Sequence, residues 1–332
     1  MILSTVVRPP ALGAAAAVLP QVPLLTAPSP VEELSRLRAA IGAAPRLLVK
    51  RDDAIPFGFG GNKVRKLAFV AGQALAEQAD TLITCGGVQS NHARATASAA
   101  AKLGLRCAIV ANGAAPDRPS GNALLDHLLG AEVHYVATRE DRTPMMERIA
   151  DQERAAGRRP FVIPLGASTP LGAIGFAIAV AELAGQIDPP DAIVHASSSG
   201  GTQAGLVAGC RALGWRTRVV GISADESAPV LIALVESILD GMGRLLPELA
   251  QAIRTGPAIE VDDRFVGEGY GIPTPESRAA QTLAARTEAM FLDPTYTAKA
   301  MAGLLARCRE GDFRGASTVL FWHTGGLPGL FA

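Results

Sequence analysis

The sequence lacks any charge imbalance: across its 332 residues, 31 Lys and Arg face 31 Asp and Glu. No net field draws it to nucleic acid or a membrane surface, so a small ligand is the default partner. Aromatic residues make up only 5% and never interleave with a basic stripe, which argues further against a nucleic-acid binder. Cysteine is scarce, and Cys85, Cys107, Cys210 and Cys308 show no CxxC spacing. Neither a zinc site nor a disulfide framework is expected; four buried thiols in a reducing cytoplasm are. The five histidines (His92, His127, His134, His195, His323) form no HxxxH or HExxH pair, so no metal site is expected. Long apolar runs are missing too. Leu171–Ala184 is too short to cross a bilayer. Met1–Leu25 is apolar but interrupted by Arg8, Pro9, Pro10, Pro20 and Pro23, and is expected to be an irregular leader segment rather than a signal peptide. There is no internal repeat, coiled-coil heptad or low-complexity tail.

What is present describes an ordered chain. Hydrophobic residues reach 48% and charged residues 19%, and the length suits two α/β domains. From about residue 46, short apolar runs alternate with longer amphipathic ones. Strands are predicted at Leu47–Lys50, Thr81–Cys85, Cys107–Val110, Val133–Val136, Phe161–Pro164, Ala192–Ala196, Val219–Ile222 and Thr318–Trp322. Helices are predicted at Lys63–Gln78, Ala93–Leu103, Ala123–Leu129, Pro144–Ala156, Leu171–Gly185, Thr202–Leu213, Glu276–Met290 and Ala298–Arg309. That alternation implies parallel sheets covered on both faces.

Three Gly-rich or Ser-rich loops each end a strand or linker and open a helix: Gly60-Gly61-Asn62-Lys63, Gly86-Gly87-Val88-Gln89-Ser90-Asn91 and Ser198-Ser199-Gly200-Gly201-Thr202. Ligands in open α/β sheets collect beside such turns, so the site is expected where the three converge. In the first loop Asn62 is a candidate N-cap, and the helix opens Lys63-Val64-Arg65-Lys66. Cations there oppose the helix dipole by roughly 0.3–1 kcal/mol per charge. Either a bound anion resolves the conflict, with Lys66 directed at it, or the patch is solvated. The third loop offers consecutive backbone N–H groups and two hydroxyls, as a phosphate nest or a flexible turn. The second, ending in Ser90-Asn91, is a further anion seat without an acidic residue. His92 and Arg94 beyond it are read as lying on the helix surface or behind the site. One ligand using all three loops needs a phosphate, a carboxylate and an amine-reactive carbonyl. Pyridoxal phosphate joined to an amino acid fits, with Lys63 as the amine, because burial and nearby cations lower a lysine pKa.

Gly60–Leu67, Gly87–His92, Gly201–Leu206, Tyr270-Gly271-Ile272-Pro273, Asp293–Met301 and His323-Thr324-Gly325-Gly326 together resemble the D-cysteine desulfhydrase and 1-aminocyclopropane-1-carboxylate deaminase family. The motifs keep the family's order from about Val49 onward; residues 1–40 and Asp225–Arg254 are less recognisable. The resemblance implies an α/β protein of pyridoxal-phosphate (PLP) fold type II, tryptophan-synthase-β-like, with two open twisted α/β domains and the cofactor in the cleft. A large PLP-binding domain would span 1–65 and 177–332, with a small α/β domain inserted at 66–176. By position, Lys63 is similar to the family's Schiff-base lysine, and Lys66 with Ser199, Gly200, Gly201 and Thr202 to its phosphate ligands. Asn91 would meet the pyridine hydroxyl, and Ser90 would serve the substrate carboxylate and proton transfer. Gln89 and Thr297 would also contact substrate, and Thr324 the cofactor. Tyr270 and Tyr296 would close the pocket as catalytic groups; their plain alternatives are a packed loop aromatic and a turn residue.

Two positions separate members of the family. Aminocyclopropane deaminases typically carry Glu after the active-site Tyr and Leu between His and Gly-Gly; here those positions are Thr297 and Thr324. A hydroxyl beside the pyridine nitrogen leaves it near neutral, whereas a carboxylate makes a stronger electron sink. The implied reaction is β-elimination, most simply D-cysteine to pyruvate, sulfide and ammonia. The alternatives are L-cysteate sulfo-lyase, aminocyclopropanecarboxylate deaminase and, outside enzymes, a phosphate-ligand-binding module. Ala298 and Gln203, where relatives often have Gly and His, bear on substrate identity. The expected partners are a small amino acid and a second copy of the chain, with neither nucleic acid nor membrane, in the cytoplasm.

Overall fold

The computed structural model describes residues 9–43 and 45–332. In chain order the first elements are α1 (Pro9–Ala17), β1 (Val31–Glu33), α2 (Ser35–Ile41), β2 (Arg46–Arg51), α3 (Lys63–Ala76), β3 (Thr81–Gly87), α4 (Asn91–Leu103) and β4 (Arg106–Asn112). Then come α5 (Gly121–Leu128), β5 (Glu132–Val136), α6 (Arg142–Ala155), β6 (Pro160–Val162), α7 (Pro170–Ala184), β7 (Ala192–Ser197) and α8 (Gly201–Ala212). The last are β8 (Arg218–Ser223), α9 (Ala228–Leu245), α10 (Ala250–Arg254), β9 (Glu260–Asp262), α11 (Pro275–Glu288), α12 (Thr297–Glu310) and β10 (Thr318–His323). Every predicted strand and helix is present, with ends moved by at most two residues.

Two sheets organise the chain. The larger runs β1-β2-β10-β7-β8-β9, and the smaller runs β5-β4-β3-β6. The smaller sheet is parallel throughout. The larger is parallel except at one edge, where β1 lies antiparallel to β2, a correction to the all-parallel expectation. β1 has three residues, two of them glutamates, too short to show a two-residue period. Alternate residues of the larger sheet enter different cores, as the pleat requires. Leu48, Ile193, Val219, Leu320 and Trp322 pack with α7, α8 and α9, while Leu47, Val49, Val194, Val220 and Phe321 pack with α11 and α12. In the smaller sheet, Leu82 and Ile109 meet α3 and α4, whereas Ile83, Cys85 and Val110 meet α6.

The leader reading is corrected where it can be compared. Residues 1–8 lie outside the described residues, but Pro9–Ala17 is helical, not irregular. Prolines in a first turn lose no hydrogen bond, because those N–H groups are unpaired anyway. Leu12, Ala15 and Ala16 then bury against the α7 cluster. α7 itself starts on Thr169, whose Oγ1 accepts from Gly172 N at 3.0 Å, with Pro170 as its first residue. Buried in its middle, Gly175 faces α3 so closely that an added Cβ would sit 2.2 Å from the Arg65 carbonyl oxygen. Among the described residues no helix is long and apolar enough to cross a membrane.

Candidate active site

The three predicted loops converge. β3, β7 and β10 point their C-terminal ends into one cavity, so Gly86-Gly87, Ser197–Gly200 and Thr324-Gly325 share its wall with Lys63 and Lys66 at the start of α3. Asn62 ties the loops together. Its Nδ2 donates to Thr202 Oγ1 at 3.0 Å, and its backbone N–H donates to the Thr324 carbonyl at 3.0 Å. It does not cap α3 as expected, since its φ/ψ is already helical and its side chain is used across the cleft.

The three cations opening α3 divide. Arg65 turns away: Nε and Nη2 donate to Asp52 at 2.9 and 2.8 Å, and Nη1 donates to Glu182 at 2.9 Å. Among the described residues Lys63 and Lys66 have no carboxylate partner. Lys63 Nζ donates to Asn62 Oδ1 at 3.3 Å. Burial, with the Arg94 charge adding and Asp293 opposing, brings the Lys63 amine down to about 8. Lys66 is fully buried and held well below its ordinary value by burial and by the Lys63 charge. Its Nζ donates to the Gly166 carbonyl at 3.2 Å and Ser168 Oγ at 3.0 Å, and Ser168 Oγ lies 2.7 Å from Ser199 Oγ. Ser168 and Gly166 were not singled out from the sequence; only their approach to Ser199, 31 positions away, reveals them.

This corner suits a phosphate. Gly200 has φ +75°, in the left-handed region, where a side chain is strained. A Cβ on Gly201 would stand 2.9 Å from Lys66 Nζ and 2.7 Å from Ser168 Oγ. An ammonium, two hydroxyls and the N–H groups opening α8 therefore surround space that only glycine keeps clear. A dianion there would also restore the charge that burial takes from Lys66.

The second loop forms another wall. Ser90 caps α4, its Oγ accepting from Ala93 N at 3.2 Å, and a Cβ on Gly86 would fall 2.3 Å from that Oγ. Asn91 lines the cavity, its Oδ1 accepting from Asn122 Nδ2 at 2.9 Å. Gln89 does not line it. Its Oε1 accepts from Asn122 N and its Nε2 donates to the Ser120 carbonyl, so it fastens the start of α5. His92 and Arg94 are both buried, which excludes the helix-surface reading. Thr84 Oγ1 donates to the Ile163 carbonyl, so His92 Nε2, 2.7 Å from that hydroxyl, is the donor between them. The ring stays neutral because burial and the Lys63 and Lys66 charges push its pKa well down.

Tyr270 and Tyr296 meet over the cavity with their hydroxyls hydrogen-bonded and their rings edge-on, centroids 5.8 Å apart. Burial raises both phenols, Tyr296 well above its usual value. Thr324 lines the cavity, but Thr297 does not. Thr297 is wholly buried as the first residue of α12, donating from Oγ1 to Asp293 Oδ1 at 2.7 Å and accepting from Asp293 N at 2.8 Å. These bonds shape the loop carrying Tyr296. Arg139, Arg142 and Asp225 also line the cavity and were not anticipated. Arg139 lies 4.9 Å over the Tyr270 ring, a contact across 131 positions with no local signal.

Comparison with known proteins agrees with this geometry. A family profile described as pyridoxal-phosphate dependent enzyme matches residues 22–325. The chain is 38% identical over 325 residues to a D-cysteine desulfhydrase of Klebsiella pneumoniae (strain 342), covering 94% of this chain and 96% of that protein. The same figures hold for a D-cysteine desulfhydrase of Klebsiella pneumoniae subsp. pneumoniae. A crystal structure described as an ACC deaminase homologue superposes with a TM-score of 0.90 at 36% identity, covering 97% of this chain and 96% of that one. A threonine deaminase from Solanum lycopersicum, 17% identical with a TM-score of 0.69 over 96% of this chain and 84% of its own, shares the fold. That fold is the type II arrangement of PLP enzymes. A half-buried lysine of lowered pKa beside a glycine-kept phosphate corner, and the match over residues 22–325, make this chain a member of the pyridoxal-phosphate-dependent enzyme family.

Proposed function

We propose that the chain catalyses β-elimination from a small amino acid, with D-cysteine giving pyruvate, sulfide and ammonia. The carrying observation is the Lys63 amine, brought down to about 8 and, among the described residues, without a carboxylate partner, in one cavity with Ser90 and the Tyr270–Tyr296 pair. Relatives named D-cysteine desulfhydrase at 38% identity support the choice of substrate.

PLP, when bound, supplies an aldehyde for the Lys63 amine and an electron sink that acidifies the substrate Cα–H. Lys66, Ser199, Gly200, Gly201 and Thr202 hold its phosphate, assisted by Ser168. Asn91 would meet the pyridine hydroxyl, and Thr324 would offer a hydroxyl, not a carboxylate, to the ring. Ser90 and Asn91, opening α4, would receive the substrate carboxylate. The neutral Lys63 Nζ would take the Cα proton. The tyrosines do not compete as bases, because burial keeps both phenols protonated. Of their two protons one bridges the pair, which leaves the other free to protonate the departing sulfur. The released enamine hydrolyses to pyruvate and ammonium.

The same proposal takes the chain as a cytoplasmic homodimer; its free cysteines, three buried and one half-buried, suit a reducing compartment. It also divides the chain into a large domain (1–65 and 177–332) and a small one (66–176). The second boundary is better moved to about residue 168, because Ala173, Ile174 and Phe176 of α7 pack in the larger sheet's core. Borohydride reduction and peptide mapping test the core of the proposal: a pyridoxyl group on Lys63 is expected. Products identify the reaction. Pyruvate with sulfide supports desulfhydration, sulfite from L-cysteate favours the sulfo-lyase, and 2-oxobutyrate favours aminocyclopropanecarboxylate deamination. An unlabelled, inactive protein returns the phosphate-binding module.

A further inference from the structure

Two cations of the cavity wall have no part in the chemistry above: Arg139 and Arg142. Arg139 is matched. Its Nη1 lies 3.4 Å from both oxygens of Asp225, and its guanidinium rests on Tyr270 at the cavity mouth. Arg142 differs. It is half-buried at the start of α6, where a cation opposes the helix dipole. Its Nε donates to the Arg139 carbonyl at 2.9 Å, which fixes the side chain, yet among the described residues no carboxylate lies within ion-pair distance of it. It shares the cavity wall with Gly86 and Gly87 at the end of β3.

Charge matching isolates the same residue. The cations on the cavity wall are Lys63, Lys66, Arg139 and Arg142, and the acid there is Asp225. The cofactor aldehyde takes Lys63, its phosphate takes Lys66, Asp225 takes Arg139, and the opening of α4 takes the substrate carboxylate. Arg142 is left over. A partly desolvated guanidinium with two free nitrogens is suited to an oxyanion held through paired hydrogen bonds.

We propose that Arg142 is a specificity-determining residue that selects amino acids whose Cβ substituent carries negative charge, a sulfonate or a thiolate, over neutral substituents. This rests on the β-elimination proposed above and deepens it. The substituent leaves as an anion, so the same contact holds it in the substrate and as it departs.

The test compares kcat/KM of the holoenzyme for cysteate, cysteine and β-chloroalanine, each as both enantiomers. Arg142→Gln should lower the ratio of cysteate to β-chloroalanine at least tenfold, and Arg142→Lys should keep part of it. A ratio unmoved by Arg142→Gln overturns the inference: equal losses on every substrate would mean the α-carboxylate or the fold uses Arg142. A wild-type enzyme that binds PLP on Lys63 yet turns over none of the three would instead sink the β-elimination itself.

Discussion

At the scale of single residues, two lysines of the cavity lack an acid partner among the described residues. Lys63, brought down to about 8, loses its proton well below an ordinary lysine. The rate of PLP uptake by the apoenzyme should therefore rise with pH through about 8, not near 10.5. Replacing Arg94 with Met removes the largest repelling charge and should move that midpoint upward. A midpoint that stays put would show that burial alone sets it. Lys66 bears on a different atom group. Lys66→Met should weaken PLP binding about 10- to 100-fold, the worth of a charged hydrogen bond of roughly 1.5–3 kcal/mol. Pyridoxal, which lacks the phosphate, should lose far less affinity, and spectrophotometric titration of the two ligands separates them.

At the scale of elements, helices hold these side chains by close approach and by buried donors. Gly175→Ala would drive a methyl into the α3 backbone at Arg65, immediately before Lys66. A loss of about 1–3 kcal/mol is expected in urea unfolding, with weaker PLP binding because the start of α3 must shift. Lys299 has a parallel task for Tyr270. Fully buried on α12, its Nζ donates to the Val266 and Gly269 carbonyls at 2.7 and 2.9 Å, gripping the loop just ahead of that tyrosine. Lys299→Met should speed hydrogen exchange in residues 266–271 and lower kcat, because Tyr270 loses its seat. The elements are largely legible, since β3, β4, β7, β8 and β10 are apolar runs and α4 and α5 carry an amphipathic period. β1 and β9, with three residues each, were too short to read. α9 was missed although Leu231, Val235, Ile238, Leu239 and Met242 give it a buried stripe behind Pro229. Within the site, Lys63, Ser90 and the loop Ser199–Thr202 announce themselves by local motif. Gln89 and Thr297 lie outside the cavity lining, held by Asn122 and Asp293 through loop geometry that no motif encodes.

At the scale of the molecule, PLP held as proposed would also be a structural part, since it would bridge loops that Asn62 joins by two hydrogen bonds. Removing PLP should lower Tm by several degrees, since a ligand at 100 times its Kd adds about 2.7 kcal/mol to the folded state. Calorimetry of apo and holo protein checks this. The order of the larger sheet carries a further consequence. Its interior strand β10, seated between β2 and β7, is the last strand among the described residues to be synthesised. While the ribosome is still making residues before 318, β2 and β7 have no neighbour to join them, and the Thr324 carbonyl that Asn62 grips does not yet exist. A nascent chain therefore cannot assemble the site early, and a reactive aldehyde meets a finished pocket or none.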